Sequence, residues 1–120
     1  MKTIHAKRPH HNLDVWKVSM DLVIECYRIT RGFPKEELFV LVLQMRRSAI
    51  SIVSNIAEGA ARSGKKELAH FLSIARGSLS ELETQLSIAV NLEYLEANPE
   101  IFRLTDRIYL MLNALLKSLN

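Results

Sequence analysis

The chain has 120 residues, 48% of them hydrophobic and 24% charged, with a formal net charge of +3. That is the length and balance of one globular domain with its own core, large enough to fold without staples. Three prolines, four glycines and a single cysteine, Cys26, argue against a turn-rich all-β fold and exclude an internal disulfide.

The first twelve residues, Met1–Asn12, are basic and histidine-rich, with no apolar stretch of the kind a secretion signal needs. They are expected to form a flexible tail ahead of one domain, residues 13–120. The first helix is expected from Leu13 to Arg31. Trp16, Met20, Val23 and Tyr27 form its stripe, Asn12 its cap, and Arg28 and Arg31 suit its negative end. Cys26 falls beside the stripe and reads as a small buried hydrophobe. Gly32 marks the stop.

The second helix is expected from Pro34 to Ala61, with proline in the first turn and Glu36 and Glu37 at its positive end. Leu38, Leu41, Met45, Ala49, Ile52 and Ile56 form its main stripe. A second apolar set, Phe39, Leu43, Ile50, Val53 and Ala57, points elsewhere, so this helix is either central in the bundle or covered by another subunit. The third helix, Lys65 to Leu95, carries Leu68, Leu72, Ala75, Leu79, Leu82, Leu86 and Ala89 in alternating steps of four and three, a heptad seam. Asn98-Pro99-Glu100 opens the fourth, whose stripe is Ile101, Leu104, Ile108, Leu112, Leu115 and Leu119. No segment alternates as a strand does, and short joins make successive helices neighbours. The reading is all-α, an up-down-up-down antiparallel four-helix bundle. No apolar run approaches a membrane span, so a cytoplasmic protein is expected.

Charge is uneven. Residues 28–76 carry nine Lys and Arg against four acids, whereas 77–120 carry three against six. Such asymmetry suits an anionic partner, or one half of the fold neutralising the other. Arg62, Lys65 and Lys66 fall in the turn before the third helix. If Ser63 caps that helix, free N–H groups and three cations converge where a phosphate would fit. A solvated loop is the plain alternative. Arg46, Arg47 and Arg76 are further candidates, although Arg46 and Arg47 would serve equally as partners of Glu58 or Glu81. No aromatic residues interleave the turn, so binding would be to the phosphate backbone and salt-dependent.

The polar residues Ser48, Ser51, Asn55 and Glu58 border the second helix's core face. Gly77 lies mid-helix, where glycine is about 1 kcal/mol worse than alanine, so a close approach is expected there. Asn55, Glu58, Gly77, Ser78 and Glu81 together are read as an internal polar network that fixes register. A Glu58–Glu81 acid–base pair lacks a nucleophile and an oxyanion donor, so no catalytic residue is assigned and no enzyme expected. Glu67 and His70 form one Glu-x-x-His, and di-iron bundles need two together with further glutamates. No metal or cofactor is expected, and the tail histidines His5, His10 and His11 read as solvated.

Leu13–Lys17 (LDVWK), Phe33–Leu38 (FPKEEL), Gln44–Arg62 (QMRRSAISIVSNIAEGAAR) and Phe71–Leu86 (FLSIARGSLSELETQL) together resemble the four-helix-bundle proteins encoded in 23S rRNA intervening sequences. The resemblance covers residues 13–115. Asn55–Gly59 (NIAEG) and Gly77–Glu83 (GSLSELE) fall in the family order, while Leu41–Gln44 (LVLQ) is more apolar than in many relatives. The resemblance implies a homopentamer, and kinship with the accessory variability determinant of diversity-generating retroelements, a basic pentameric barrel that binds nucleic acid and a reverse transcriptase. The expectation is therefore a non-enzymatic oligomer binding RNA or DNA. The alternatives are a scaffold for a larger protein partner and, third, a metalloenzyme on Glu67 and His70.

Overall fold

A computed structural model describes residues 6–120, and these contain four α-helices and no strand. The helices are α1 (Asp14–Thr30), α2 (Leu41–Ala61), α3 (Lys65–Asn91) and α4 (Ile101–Ser118), with short 3-10 turns at Pro9–Asn12 and Lys35–Glu37. The most extensive contact is α2 against α3. Helix α1 packs on α2 and α4, and α3 on α4, so the four close a ring around one core. No helix among the described residues is long and apolar enough to cross a membrane.

Helix α1 buries Val15, Val18, Leu22 and Cys26. Its core face is thus one residue removed from the expected Trp16–Met20–Val23–Tyr27 stripe, which flanks the core half-buried. The two aromatics sit at the border because each has a polar companion. Trp16 meets the rings of His10 and His11 edge-on at 4.9 and 5.1 Å, and Tyr27 lies under the Arg46 guanidinium at 4.3 Å. Burial raises the Cys26 thiol to about 11, against the opposing pull of Arg46. The residue preceding α1 is Leu13, not the expected cap Asn12, which belongs to the Pro9–Asn12 turn. His5 and the rest of residues 1–5 lie outside the described residues.

Helix α2 starts at Leu41, not at Pro34. Pro34 is extended (φ −54°, ψ 142°), and Lys35–Glu37 forms a separate turn. That turn is held by the connection between α3 and α4. The Tyr94 hydroxyl donates to Glu37 Oε2 at 2.8 Å, and the Tyr94 ring lies 5.3 Å from Phe33. Val40 then breaks helical continuity (φ −119°, ψ −94°). In consequence Leu38, expected in the core stripe, is on the surface with Phe39 and Val40. From the same stripe Met45, Ala49, Ile52 and Ile56 are fully buried.

In α3 the heptad seam from Leu72 through Ala89 has zero exposure. The helix ends at Asn91 rather than Leu95. There Glu93 turns left-handed (φ 64°) and the Tyr94 N–H reaches back to the Ala89 carbonyl at 2.9 Å, a Schellman-like closure. Asn98 (φ 58°) and Pro99 lead into α4, which buries Ile101, Thr105, Ile108 and Leu112.

Candidate nucleic-acid interface

The turn between α2 and α3 is three residues, Arg62–Ser63–Gly64. Arg62 is extended, its N–H bonded to the Gly59 carbonyl at 3.2 Å, and Gly64 precedes α3 (φ −132°, ψ 155°). No side chain caps α3, so Ser63 does not play the role expected of it. The first N–H groups of a helix have no acceptor within it, and here no hydroxyl occupies them. Glu67 is the acid of that first turn, offsetting part of the unfavourable placement of Lys65 and Lys66 against the helix dipole.

The three cations at this junction, Arg62 in the turn and Lys65 and Lys66 at the start of α3, differ in freedom. Arg62 Nε lies 3.6 Å from Glu58 Oε2, and its guanidinium stands 5.0 Å from the Phe71 ring centre. Lys65 and Lys66 are exposed, and the ion pairs among the described residues do not involve them. Beside the turn runs a shallow groove of about 350 Å³ lined by Arg8, Pro9, His10, Ser54, Ala57, Glu58 and Ala61. It lies where the Pro9–Asn12 turn packs against α2.

The other three candidate arginines are not part of this cluster. Arg46 and Arg47 stand near the opposite end of α2. Arg46 Nε donates to Thr30 Oγ1 at 3.0 Å and pairs with neither Glu58 nor Glu81. Thr30 in turn donates to the Cys26 carbonyl at 2.8 Å, so Arg46 ties α2 to the last turn of α1. Arg47 is exposed. Arg76 Nη1 donates to Asn113 Oδ1 at 2.9 Å, joining α3 to α4.

The polar network is smaller than expected and differently composed. Ser51 and Ser78 share a hydrogen bond across the α2–α3 contact at 2.8 Å. Asn55 Nδ2 donates to the Ser51 carbonyl at 2.8 Å and to Ser51 Oγ at 3.1 Å. Glu58, Gly77 and Glu81 are exposed and lie outside it. A Cβ on Gly77 would meet nothing within 4 Å, so no close approach explains that glycine within the chain. The close approach is at Gly59, where a Cβ would come within 3.0 Å of Phe71 Cβ and 3.1 Å of Leu68 Cδ1. Gly59 closes the Asn-Ile-Ala-Glu-Gly run, and glycine inside a helical pattern was the available signal for it.

Glu67 and His70 are both exposed, and His70 faces the Phe71 ring at 5.2 Å. Among the described residues no three His, Cys, Asp or Glu side chains gather as a metal site would require.

No curated protein matches the chain. The profile described as "23S rRNA-intervening sequence protein" matches residues 11–114, which takes in all of α1, α2 and α3 and most of α4. With most of its length matched in this way, the chain belongs to the 23S rRNA-intervening sequence protein family.

Proposed function

We propose that this protein is a non-enzymatic, self-assembling helical bundle that binds the phosphate backbone of RNA or DNA. The observation that carries this reading is the α2–α3 turn, where Lys65 and Lys66 are exposed without ion-pair partners beside Arg62. The family's name associates it with ribosomal RNA sequence. Nothing in the turn reads base edges, so recognition is electrostatic and tolerant of sequence. Changing Arg62, Lys65 and Lys66 to glutamine should weaken binding to every sequence and flatten its salt dependence. Unchanged affinity would remove the turn from the reading.

The same proposal includes an up-down-up-down antiparallel arrangement and a homo-oligomer, with a pentamer as the expected count. Ring packing and short joins support the first. The second is supported by apolar side chains left on the surface: Phe39 is 81% and Val40 60% exposed, with Leu38, Leu43 and Ile50 beside them. A cytoplasmic setting completes it, in keeping with one buried, unpaired cysteine.

That apolar segment also favours a second reading, a scaffold or accessory subunit for a larger protein such as a reverse transcriptase. Its complex would survive high salt and depend on Phe39 rather than on Lys65 and Lys66.

A further inference from the structure

We infer that the nucleic-acid surface is composite: the N-terminal segment supplies Lys7 and Arg8 to the same phosphate track as Arg62, Lys65 and Lys66, with Glu58 as the anion between them. This rests on the nucleic-acid reading above and adds residues from outside α2 and α3.

Arg8 is held by the turn that follows it. Pro9 opens the Pro9–Asn12 turn with its fixed φ and no N–H to satisfy. The Arg8 N–H donates to His11 Nδ1 at 2.7 Å, closing that turn from outside. His10 and His11 pack edge-on against Trp16, so the turn is fastened to α1, and it also packs on α2. Arg8 is therefore fixed beside the bundle. Its place is the groove it lines with Glu58 and Ala61 of the last turns of α2.

Glu58 links the two segments. It lines the groove with Arg8, whose Nη1 donates to the Ala6 and Lys7 carbonyls at 3.4 Å, and it lies 3.6 Å from Arg62 Nε. Lys7, Arg8, Arg62, Lys65 and Lys66 are all exposed, and the acids adjoining these segments in the chain are Glu58, Glu67 and Asp14, the last paired with Lys17 at 3.9 Å. Glu58 thus brings Arg8 and Arg62 together from positions more than 50 apart in the chain, with Lys7 the neighbour of the one and Lys65 and Lys66 following the other. Such a row neutralises successive phosphates more effectively than a single turn. The carboxylate in its middle opposes phosphate binding and holds Arg62 in its unbound position.

Binding of a labelled structured RNA and of a double-stranded DNA of equal length, titrated over a salt series with the full chain, tests this. Lys7→Gln with Arg8→Gln should weaken binding several-fold at low salt. It should reduce the slope of log K against log salt by roughly 0.7–0.9 for each phosphate no longer neutralised. Glu58→Gln should tighten binding, a gain that a merely structural role for Glu58 would not give. Unchanged thermal unfolding of both variants shows that the fold is intact. If the tail variant binds with wild-type affinity and slope while the Arg62/Lys65/Lys66 variant is weakened, the composite surface is wrong and the turn alone binds. If the wild type takes up neither RNA nor DNA, the nucleic-acid reading falls and this inference with it. A preference for one nucleic acid in both proteins assigns the source of the phosphates.

Discussion

At its C-terminal end α2 meets α3 through Gly59, whose missing side chain lets Phe71 and Leu68 approach, and through the Asn55–Ser51–Ser78 hydrogen bonds. At its N-terminal end the chain leaves Leu38, Phe39, Val40 and Leu43 in water. Both ends are rich in residues that want burial or partners, yet only one finds them within the chain. The difference teaches where the single-chain fold is complete and where it is not. Small residues and short hydroxyls give the first end a register that larger side chains would spoil. The second end is fixed by Tyr94 and Phe33 behind it, which hold Lys35–Glu37 and so project the next residues outward.

Substitutions at the two ends should therefore act on different quantities. Gly59→Leu should have the largest effect, a loss of about 3 kcal/mol in denaturant unfolding, because the interior there cannot yield to a branched side chain. Phe39→Ser should change unfolding of the protomer by less than about 0.5 kcal/mol while lowering the mass of the proposed oligomer in solution. The reverse pattern would invert the comparison. Ser51→Ala should come next, at about 1–2 kcal/mol, since it strips a partner from both Asn55 and Ser78. Combined with Ser78→Ala it should fall short of the sum of the two single changes, because the residues share one bond.

Gly77→Ala should act in the opposite direction, stabilising the protomer by about 1 kcal/mol, since the new methyl meets nothing and the helix gains propensity. A loss of stability would mean that Gly77 is tightly covered in the assembled protein. Tyr94→Phe should have a small effect with a distinctive pH dependence. The Glu37 carboxylate that accepts the Tyr94 hydroxyl, together with burial, raises the phenol above its usual value. A raised folded-state value means that the contribution is fully present below the unfolded tyrosine pKa of about 10 and is lost as pH rises through the folded value. Wild type and Tyr94→Phe should thus differ at neutral pH and converge in alkali, read from thermal unfolding across the pH series.

The sequence made the helices legible because their buried faces repeat. The α3 seam from Leu72 to Ala89 is buried along its whole length, and Met45, Ala49, Ile52 and Ile56 reach zero exposure as their spacing predicts. What spacing does not carry is long-range. Pro34 reads locally as a helix start, but Tyr94 captures Glu37 from the α3–α4 connection and the helix begins at Leu41. The expected stripe of α1 was displaced because Trp16 and Tyr27 find polar companions at the edge of the core. Gly77 and Gly59 look alike in sequence, and only the packed structure distinguishes the open site from the tight one. At the candidate site, Arg62, Lys65 and Lys66 were legible as a basic turn. Arg8 was not, because its place beside Glu58 follows from a turn fastened on Trp16.

The measurement that tests the central claim most directly is light scattering of the purified protein with and without a mixed-sequence structured RNA, at low and at high salt. The account predicts a stable oligomer at both salt concentrations that takes up RNA at low salt and releases it at high salt. A monomer, or an oligomer whose mass is indifferent to RNA at low salt, would contradict it.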